Sequence, residues 1–408
     1  MPDWIDAAEA ARRLGIKPAT LYAYVSRGVL TRRHDENGRR SLFDAADIDR
    51  LARRGRPRHP QPELVIESAI TALGVDRPHY RGVDALRLAE STPFEAVAAW
   101  LWTATPPVPR TPPDSASDAA SGEAAPWVGE PAAVGAAIHT QRSLPPDLLP
   151  LDRLQVITTV LGAADSLRFH LDPDSVIATA KRLIAGLVDA LPKLCPPTGP
   201  TIPHRLWAAL SPAPPTQEHL DTLRTAMVLL ADHELAASTL AARVAASARA
   251  DPYAVVQTGL GVLGGPLHGG ASHAAERLLA DLPAPGAAPR VIAERVRRGE
   301  RIPGFGHSVY KNGDARGTHL LDQVLAAHPQ DAPRLTALVA EVRRRRLPAP
   351  NIDFALAALT VTAGLAPGSG EAIFAVSRAA GWLAHAMEEY AHGTLLRLRA
   401  SYVGPPPH

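Results

Sequence analysis

The sequence predicts a mainly α-helical protein preceded by a small, separate helix-turn-helix module. Two observations carry this. Alanine- and leucine-rich stretches from 151 to 192 and from 216 to 250 read as helices, and no apolar–polar alternation runs long enough for a parallel sheet. The first 58 residues also differ in charge from the rest, with 13 Lys and Arg against 8 Asp and Glu.

At 408 residues the chain has room for two or three domains of about 100–200 residues each. Apolar residues make up 46% of it, enough for a large core. A net charge of +2 argues against wholesale coating of nucleic acid. Cys195 is the only cysteine, which excludes an intrachain disulfide and any cysteine-based metal cluster, and no metal site is expected. It reads as a small residue in a proline-rich connection. No run of about 18 uncharged apolar residues occurs, so no membrane partner is expected. The start, Met1-Pro2-Asp3, leads into a charged amphipathic segment without an apolar signal core, and a cytoplasmic location is expected.

In the N-terminal module, Ile5 to Leu14 reads as a short helix with Ala8, Ala11 and Leu14 on one face. Gly15 turns the chain, and Pro18 suits the first position of a second helix through Val25. A hairpin follows, with Asn37-Gly38 as its turn signal and Arg32, Arg33, Arg39 and Arg40 around it. Asp44 caps a third helix through Leu51. The region 1–58 resembles the winged helix-turn-helix of the MerR and excisionase type. That resemblance makes DNA a candidate partner, with Lys17, Thr20, Tyr22, Arg27, Arg39 and Arg40 as candidate DNA-binding residues. A relict or protein-contact role is the alternative. Arg53 to Pro60 reads as a basic linker, touching phosphates or merely solvating a tether.

From residue 64 onward the pattern is helical after a short hairpin between Ile70 and Tyr80. Arg87–Glu90 and Phe94–Trp102 follow as amphipathic helices. Residues 105–133, rich in Pro, Ala, Ser and Asp, lack the large apolar groups of a core and read as a flexible surface insertion.

The chemistry-bearing residues lie later. Gly264 to Ala271 and Pro303 to Lys311 each place one histidine, His268 and His307, in a glycine turn, where φ > 0 and close ligand approach are permitted. Either ring can donate a proton or a hydrogen bond. Asp353 follows Pro348-Ala349-Pro350, an approach that holds it at a helix start, where it reads as a cap as well as a reacting group. His233 lies in Ala231-Asp232-His233-Glu234 at the start of a helical run. Arg316 follows the second histidine loop, Arg378 sits on an apolar helix, and Arg397 and Arg399 lie near the end. Arginines bind carboxylates bidentately, so their number implies a di- or tricarboxylate ligand. A carboxylate base removes a proton beside a carbonyl, one histidine stabilises the enol, and another polarises the partner carbonyl. That is the equipment of a Claisen-type condensation.

These blocks, in this order and from about residue 64 to 404, resemble citrate synthase in its bacterial short form. The resemblance rests on Tyr80-Arg81-Gly82, Ala231 to Glu234, Gly265 to Gly270, Pro303 to His307, Asp314-Ala315-Arg316, Asn351 to Phe354, Ser377 to His385 and the Arg397 segment. It implies a large domain of residues 64–268 and 366–408 and a small domain of residues 269–365, both helical. It implies that Asp353 takes the methyl proton of acetyl-CoA, that His268 holds the thioester oxygen and that His307 acts on the oxaloacetate carbonyl. His233, Arg316 and Arg378 would hold oxaloacetate, and Arg397 would reach across a homodimer. No permanently bound cofactor is implied, acetyl-CoA being a co-substrate.

The chain departs from the family pattern at Ser272-His273, where asparagine is common, and at Ser308, where arginine is common, with Lys311 as the substitute CoA contact. Phe354-Ala355-Leu356 and Arg397-Leu398-Arg399 also differ from it. The expected function is citrate synthase, converting acetyl-CoA, oxaloacetate and water to citrate and CoA. The rivals are a 2-methylcitrate synthase using propionyl-CoA, and a metabolite-sensing transcription regulator with a synthase-like body.

Overall fold

The computed structural model describes residues 4–14, 16, 18–26, 29–35, 40–55, 65–106, 125–402 and 404. The chain divides into two units, Met1–Glu67 and Ser68–His408.

In the first unit β1 (Trp4–Asp6) leads into α1 (Ala7–Leu14), followed by α2 (Pro18–Ser26), β2 (Arg32–His34), β3 (Ser41–Asp44) and α3 (Ala45–Gly55). The strands form one antiparallel sheet in the order β1-β3-β2, with Ile5 opposite Phe43 and Arg33 opposite Leu42. The first helix therefore starts two residues later than expected, because Trp4–Asp6 finds a partner in β3. Ala10 and Ala11 are buried and Ala8 is exposed, which also corrects the expected apolar face. Pro18 opens α2 as its fixed φ allows. The Asp44 carboxylate accepts the Ala46 N–H at 2.8 Å, and α3 runs to Gly55, four residues beyond the expected end. Leu21, Leu30, Phe43 and Ile48 close a small core with Ala10. The Asn37-Gly38 turn lies outside the described residues; β2 and β3 pair antiparallel on either side of it.

The second unit opens with an antiparallel sheet of β4 (Thr71–Leu73), β5 (Pro78–Tyr80) and β6 (Val83–Asp84), the hairpin expected there plus one strand. Helices α4 (Ala85–Ser91), α5 (Phe94–Thr103), α6 (Pro131–Gln141), α7 (Pro150–Ala164) and α8 (Pro173–Ala190) follow. Then come α9 (Ile202–Leu210), α10 (Gln217–Leu230), α11 (Ala237–Ser247), α12 (Pro252–Leu263) and α13 (Gly270–Ala280). The remainder is α14 (Ala288–Arg297), α15 (Ala315–Ala327), α16 (Ala332–Arg344), α17 (Ile352–Thr362) and α18 (Ser369–His392).

Proline near the start of many helices explains why the long expected runs divide. The stretch 151–192 breaks where Asp172 caps the Ser175 N–H at 3.0 Å and Pro173 begins α8. The stretch 216–250 breaks at 231–236, the segment that carries His233. Helix α18 is buried on every face from Ser369 to Ala386 and packs against α5, α7, α8, α10, α11, α12, α13 and α17. An all-round apolar helix is what the centre of a large helical domain needs.

The insertion expected at 105–133 is only partly tested, since 107–124 lie outside the described residues. The rest of it is anchored. Trp127 is buried and stacks on Trp102 at 5.3 Å, and α6 begins at Pro131; an aromatic pair of this kind adds about 1 kcal/mol beyond its buried area. Among the described residues no helix is long and apolar enough to cross a membrane.

Candidate active site

Four loops and three helices bring the site together. Gly304 and Gly306 have φ of +78° and +85°, a backbone that other residues enter only with strain. The turn they make lets Gly306 N–H reach Ala349 O at 2.8 Å. It also aims the N–H groups of Val309 and Tyr310 at His307 Nδ1, at 3.0 and 3.1 Å. Nδ1 accepts two backbone donors, which leaves Nε2 to carry the proton of the neutral ring. Arg316 NH2, itself a donor, stands 3.4 Å from that Nε2, so the two donors share a place for an acceptor oxygen between them. Burial, then the Arg316 charge, pushes this histidine down to about 4, and it is neutral at physiological pH.

The first glycine loop works differently from expectation. None of its glycines has positive φ. They provide room instead: a Cβ at Gly269 would fall 2.6 Å from the Leu263 side chain. His268 emerges from this loop with Nε2 at 2.7 Å from Ser238 Oγ and its ring edge-on to Phe374 at 5.7 Å. Burial and then Arg378 push it down to about 4.

His233 lies in the α10–α11 connection, buried, with Nε2 at 3.0 Å from the Tyr310 hydroxyl and its ring 5.4 Å from that of His307. Burial pushes its pKa well below the usual value, and the charges of Arg316 and Arg378 push the same way. Tyr310 stacks on His307 at 4.7 Å. Its hydroxyl, pushed up to about 12 by burial, stays protonated and meets His233, so that Tyr310 joins the two histidines, one by its hydroxyl and the other by its ring.

Arg316, at the start of α15, pairs bidentately with Asp314, Nε to Oδ1 and NH2 to Oδ2, both at 2.9 Å. Asp314 also accepts the Ile352 N–H at 3.2 Å and so ties α15 to α17. Gly317 permits that approach, since a Cβ there would lie 2.4 Å from the Asn351 carbonyl carbon. Arg378, in the middle of α18, donates Nε to Leu230 O at 2.7 Å and lies 4.6 Å over the Phe374 ring. Its NH1 is buried without a partner among the described residues. Burial lowers its pKa to about 10, so the guanidinium remains charged.

Asp353 is the second residue of α17. The cap expected of it belongs to Asn351, whose Oδ1 accepts from Asp353 N–H at 3.0 Å and Phe354 N–H at 3.3 Å. Asp353 is thus freed from capping. Its Oδ1 is buried with no partner among the described residues, and burial raises its pKa to about 7 against the pull of Arg316. A carboxyl held near neutrality can both take and return a proton.

Other expected residues lie outside this cluster. Lys311 is exposed at the end of the His307 loop and, with Gly306, His307, Tyr310 and Pro348 to Asn351, lines a cavity of about 260 Å³. Arg397 is exposed in the extended tail after α18, and a single chain does not bring it to the site. In the first unit Thr20, Tyr22 and Arg40 are exposed, while Lys17, Arg27 and Arg39 lie outside the described residues. Ser272 is fully buried against α18, where a Cβ on Gly370 would strike its Oγ, and His273 pairs with Glu276 at 3.2 Å.

Sequence reasoning missed Ser238, Tyr310 and Asp314 as supporting groups. Only Asp314, two residues before Arg316, had a local signal; the others become visible once α11 and the His307 loop pack.

A family model described as citrate synthase, C-terminal domain, matches residues 61–399, and a helix-turn-helix domain matches residues 4–56. Citrate synthase 2 of Bacillus subtilis (strain 168) is 30% identical over 364 residues, 83% of this chain and 93% of that protein. A 2-methylcitrate synthase of Shewanella oneidensis is 33% identical over 199 residues, 47% of this chain and 53% of that one. The structure of citrate synthase from Thermotoga maritima MSB8 matches with a TM-score of 0.66 at 26% identity, covering 85% of this chain and 95% of that chain. With the match spanning the whole helical unit and a helix-turn-helix domain ahead of it, the chain belongs to the citrate synthase family of acyltransferases.

Proposed function

We propose that the helical unit condenses acetyl-CoA with oxaloacetate and hydrolyses the thioester formed, releasing citrate and CoA. The observation that carries this is an Asp353 carboxyl held near neutrality, its Oδ1 without a partner among the described residues, within the electrostatic reach of two buried arginines, one of which has an open donor. In this reading Asp353 removes a methyl proton while His268 donates Nδ1–H to the thioester oxygen, giving the enol. The enol carbon bonds to the oxaloacetate ketone carbon as the enol O–H proton returns to His268 Nδ1, and His307 passes its Nε2 proton to the new alkoxide. The proton held by Asp353 is released to solvent while water reprotonates His307. Water then cleaves the thioester. Both histidines act as neutral donors, which suits their lowered pKa values.

Arg316, Arg378 and His233 hold the oxaloacetate carboxylates, and Lys311 meets a CoA phosphate. Residues 269–365, which include α13 to α17, act as a small domain that closes on a large domain of 64–268 and 366–408, excluding water. In a homodimer Arg397 completes the neighbouring site. The first unit reads DNA through Thr20, Tyr22 and Arg40, with Arg32 and Arg33 stacked over Tyr22 and Trp4 at 6.0 and 4.3 Å.

A thiol-release assay with oxaloacetate and a panel of acyl-CoAs tests this. Preference for acetyl-CoA supports it. Preference for propionyl-CoA turns the reading to a 2-methylcitrate synthase. No turnover, with salt-sensitive binding to a defined DNA site, turns it to a regulator.

A further inference from the structure

One face of α18 clasps the segment that delivers His233. Arg378 Nε donates to Leu230 O at 2.7 Å, Gly381 N–H to Ala231 O at 2.9 Å, and His385 Nε2 stands 3.3 Å from Asp232 Oδ2. Spacings of three and four residues put all three contacts on one helix face. A Cβ at position 381 would lie 2.3 Å from Asp232 Oδ1, so only glycine permits the approach.

Behind His385 lies the fully buried Arg243. Its NH1 donates to His385 Nδ1 at 2.8 Å and to Glu388 Oε2 at 2.7 Å, and its Nε donates to Glu389. A guanidinium has no acceptor, so His385 Nδ1 is bare and Nε2 carries the proton. The ring is thereby oriented with Nε2–H as the donor to Asp232.

The Asp232 carboxylate spans His233, because its Oδ2 also accepts the Glu234 N–H at 3.1 Å. Glu234 has φ of +51°, a left-handed backbone that costs a non-glycine residue about 1 kcal/mol. One oxygen, Oδ2, thus takes both the His385 ring and the Glu234 N–H, and an oxygen shared in this way can keep the strained loop in place.

We propose that His385 is a positioning residue for the oxaloacetate-binding histidine. Its Nε2–H, in the tautomer that Arg243 imposes, holds Asp232 and so sets the loop that presents His233. His385 does not touch substrate. The inference rests on the reading that His233 binds oxaloacetate.

The test compares the full chain with His385→Leu, His385→Asn, His385→Gln and, as a control on the site itself, His233→Ala. KM is measured for oxaloacetate and for acetyl-CoA separately, on protein with an unchanged circular dichroism spectrum. Leucine and asparagine are expected to raise the oxaloacetate KM about tenfold and leave the acetyl-CoA KM within about twofold. Asparagine still accepts from Arg243 but is too short to reach Asp232, so it carries the test if the leucine variant fails to fold. Glutamine, whose amide N–H reaches where Nε2–H stood, is expected to recover most of the loss. Wild-type oxaloacetate KM in the folded leucine or asparagine variant, or equal loss for both substrates, overturns the proposal. If His233→Ala leaves the oxaloacetate KM unchanged, the reading of the site falls. If it raises that KM while the His385 variants do not, only the role of His385 falls.

Discussion

Ser238 Oγ lies 2.7 Å from His268 Nε2 while receiving the Trp382 indole N–H at 3.2 Å. With one lone pair taken by the indole, the hydroxyl proton has His268 Nε2 as its acceptor among the described residues. The neutral imidazole then carries its proton on Nδ1, the nitrogen left for a thioester oxygen. In the proposed mechanism the two histidines thus act as opposite tautomers, His268 set by a side chain and His307 by two backbone N–H groups.

Ser238→Ala removes the group that sets this tautomer. The expected outcome in steady-state kinetics is a fall in kcat of about tenfold to a hundredfold, with the oxaloacetate KM within about twofold of wild type. An unchanged kcat would show that the serine does not orient the ring.

Asp353→Asn is expected to abolish turnover and to raise the melting temperature at pH 8. The sign follows from linkage. The carboxyl titrates at about 7 in the folded chain against an ordinary 3.8, so at pH 8 the folded state holds a charge that the unfolded state bears more easily. Removing that charge favours the fold. The gain shrinks as pH falls from about 7 toward 3.8 and vanishes only below that, where both states are protonated, and differential scanning calorimetry at two pH values checks it.

A pH profile of kcat/KM for acetyl-CoA is expected to rise through about 7 as Asp353 ionises. His268 and His307 ionise near 4, below this limb, and do not contribute to it. A profile flat from about pH 5.5 to 8.5 would mean that a different base acts.

Much of the site was legible because its residues sit in short blocks whose order and types imply one chemistry. His268 and His307 were marked by glycine turns, Asp353 by a helix breaker, Arg378 by an apolar helix, and Arg316 by its place after the second histidine loop. The role of the first glycine loop was misread, because a glycine needed for space and one needed for φ > 0 look alike in sequence. Asp353 was read as its own cap because Asn351 and Asp353 are both good caps two residues apart. Ser238, Tyr310 and His385 were illegible as site supports, since their partners lie 30, 77 and 153 residues away. Ile5 and Asp6 were taken for helix because a strand of three residues depends on partners such as Phe43, 38 positions from Ile5.

Deleting residues 1–58 is expected to leave acetyl-CoA turnover intact, because the two units each have their own core. In the full chain, replacing Arg40 or Arg32 by alanine is expected to weaken DNA binding across sequences and reduce the salt slope by about 1 each. Fluorescence anisotropy over a salt series measures both.

In the proposed mechanism, Asp353 and the two differently protonated histidines perform a condensation on oxaloacetate. The most direct measurement is oxaloacetate-dependent release of CoA from acetyl-CoA, with citrate identified by mass spectrometry, in wild type and in Asp353→Asn. The expected result is stoichiometric citrate and CoA from wild type and neither from the variant. Equal CoA release with and without oxaloacetate, or full activity in the variant, would contradict it.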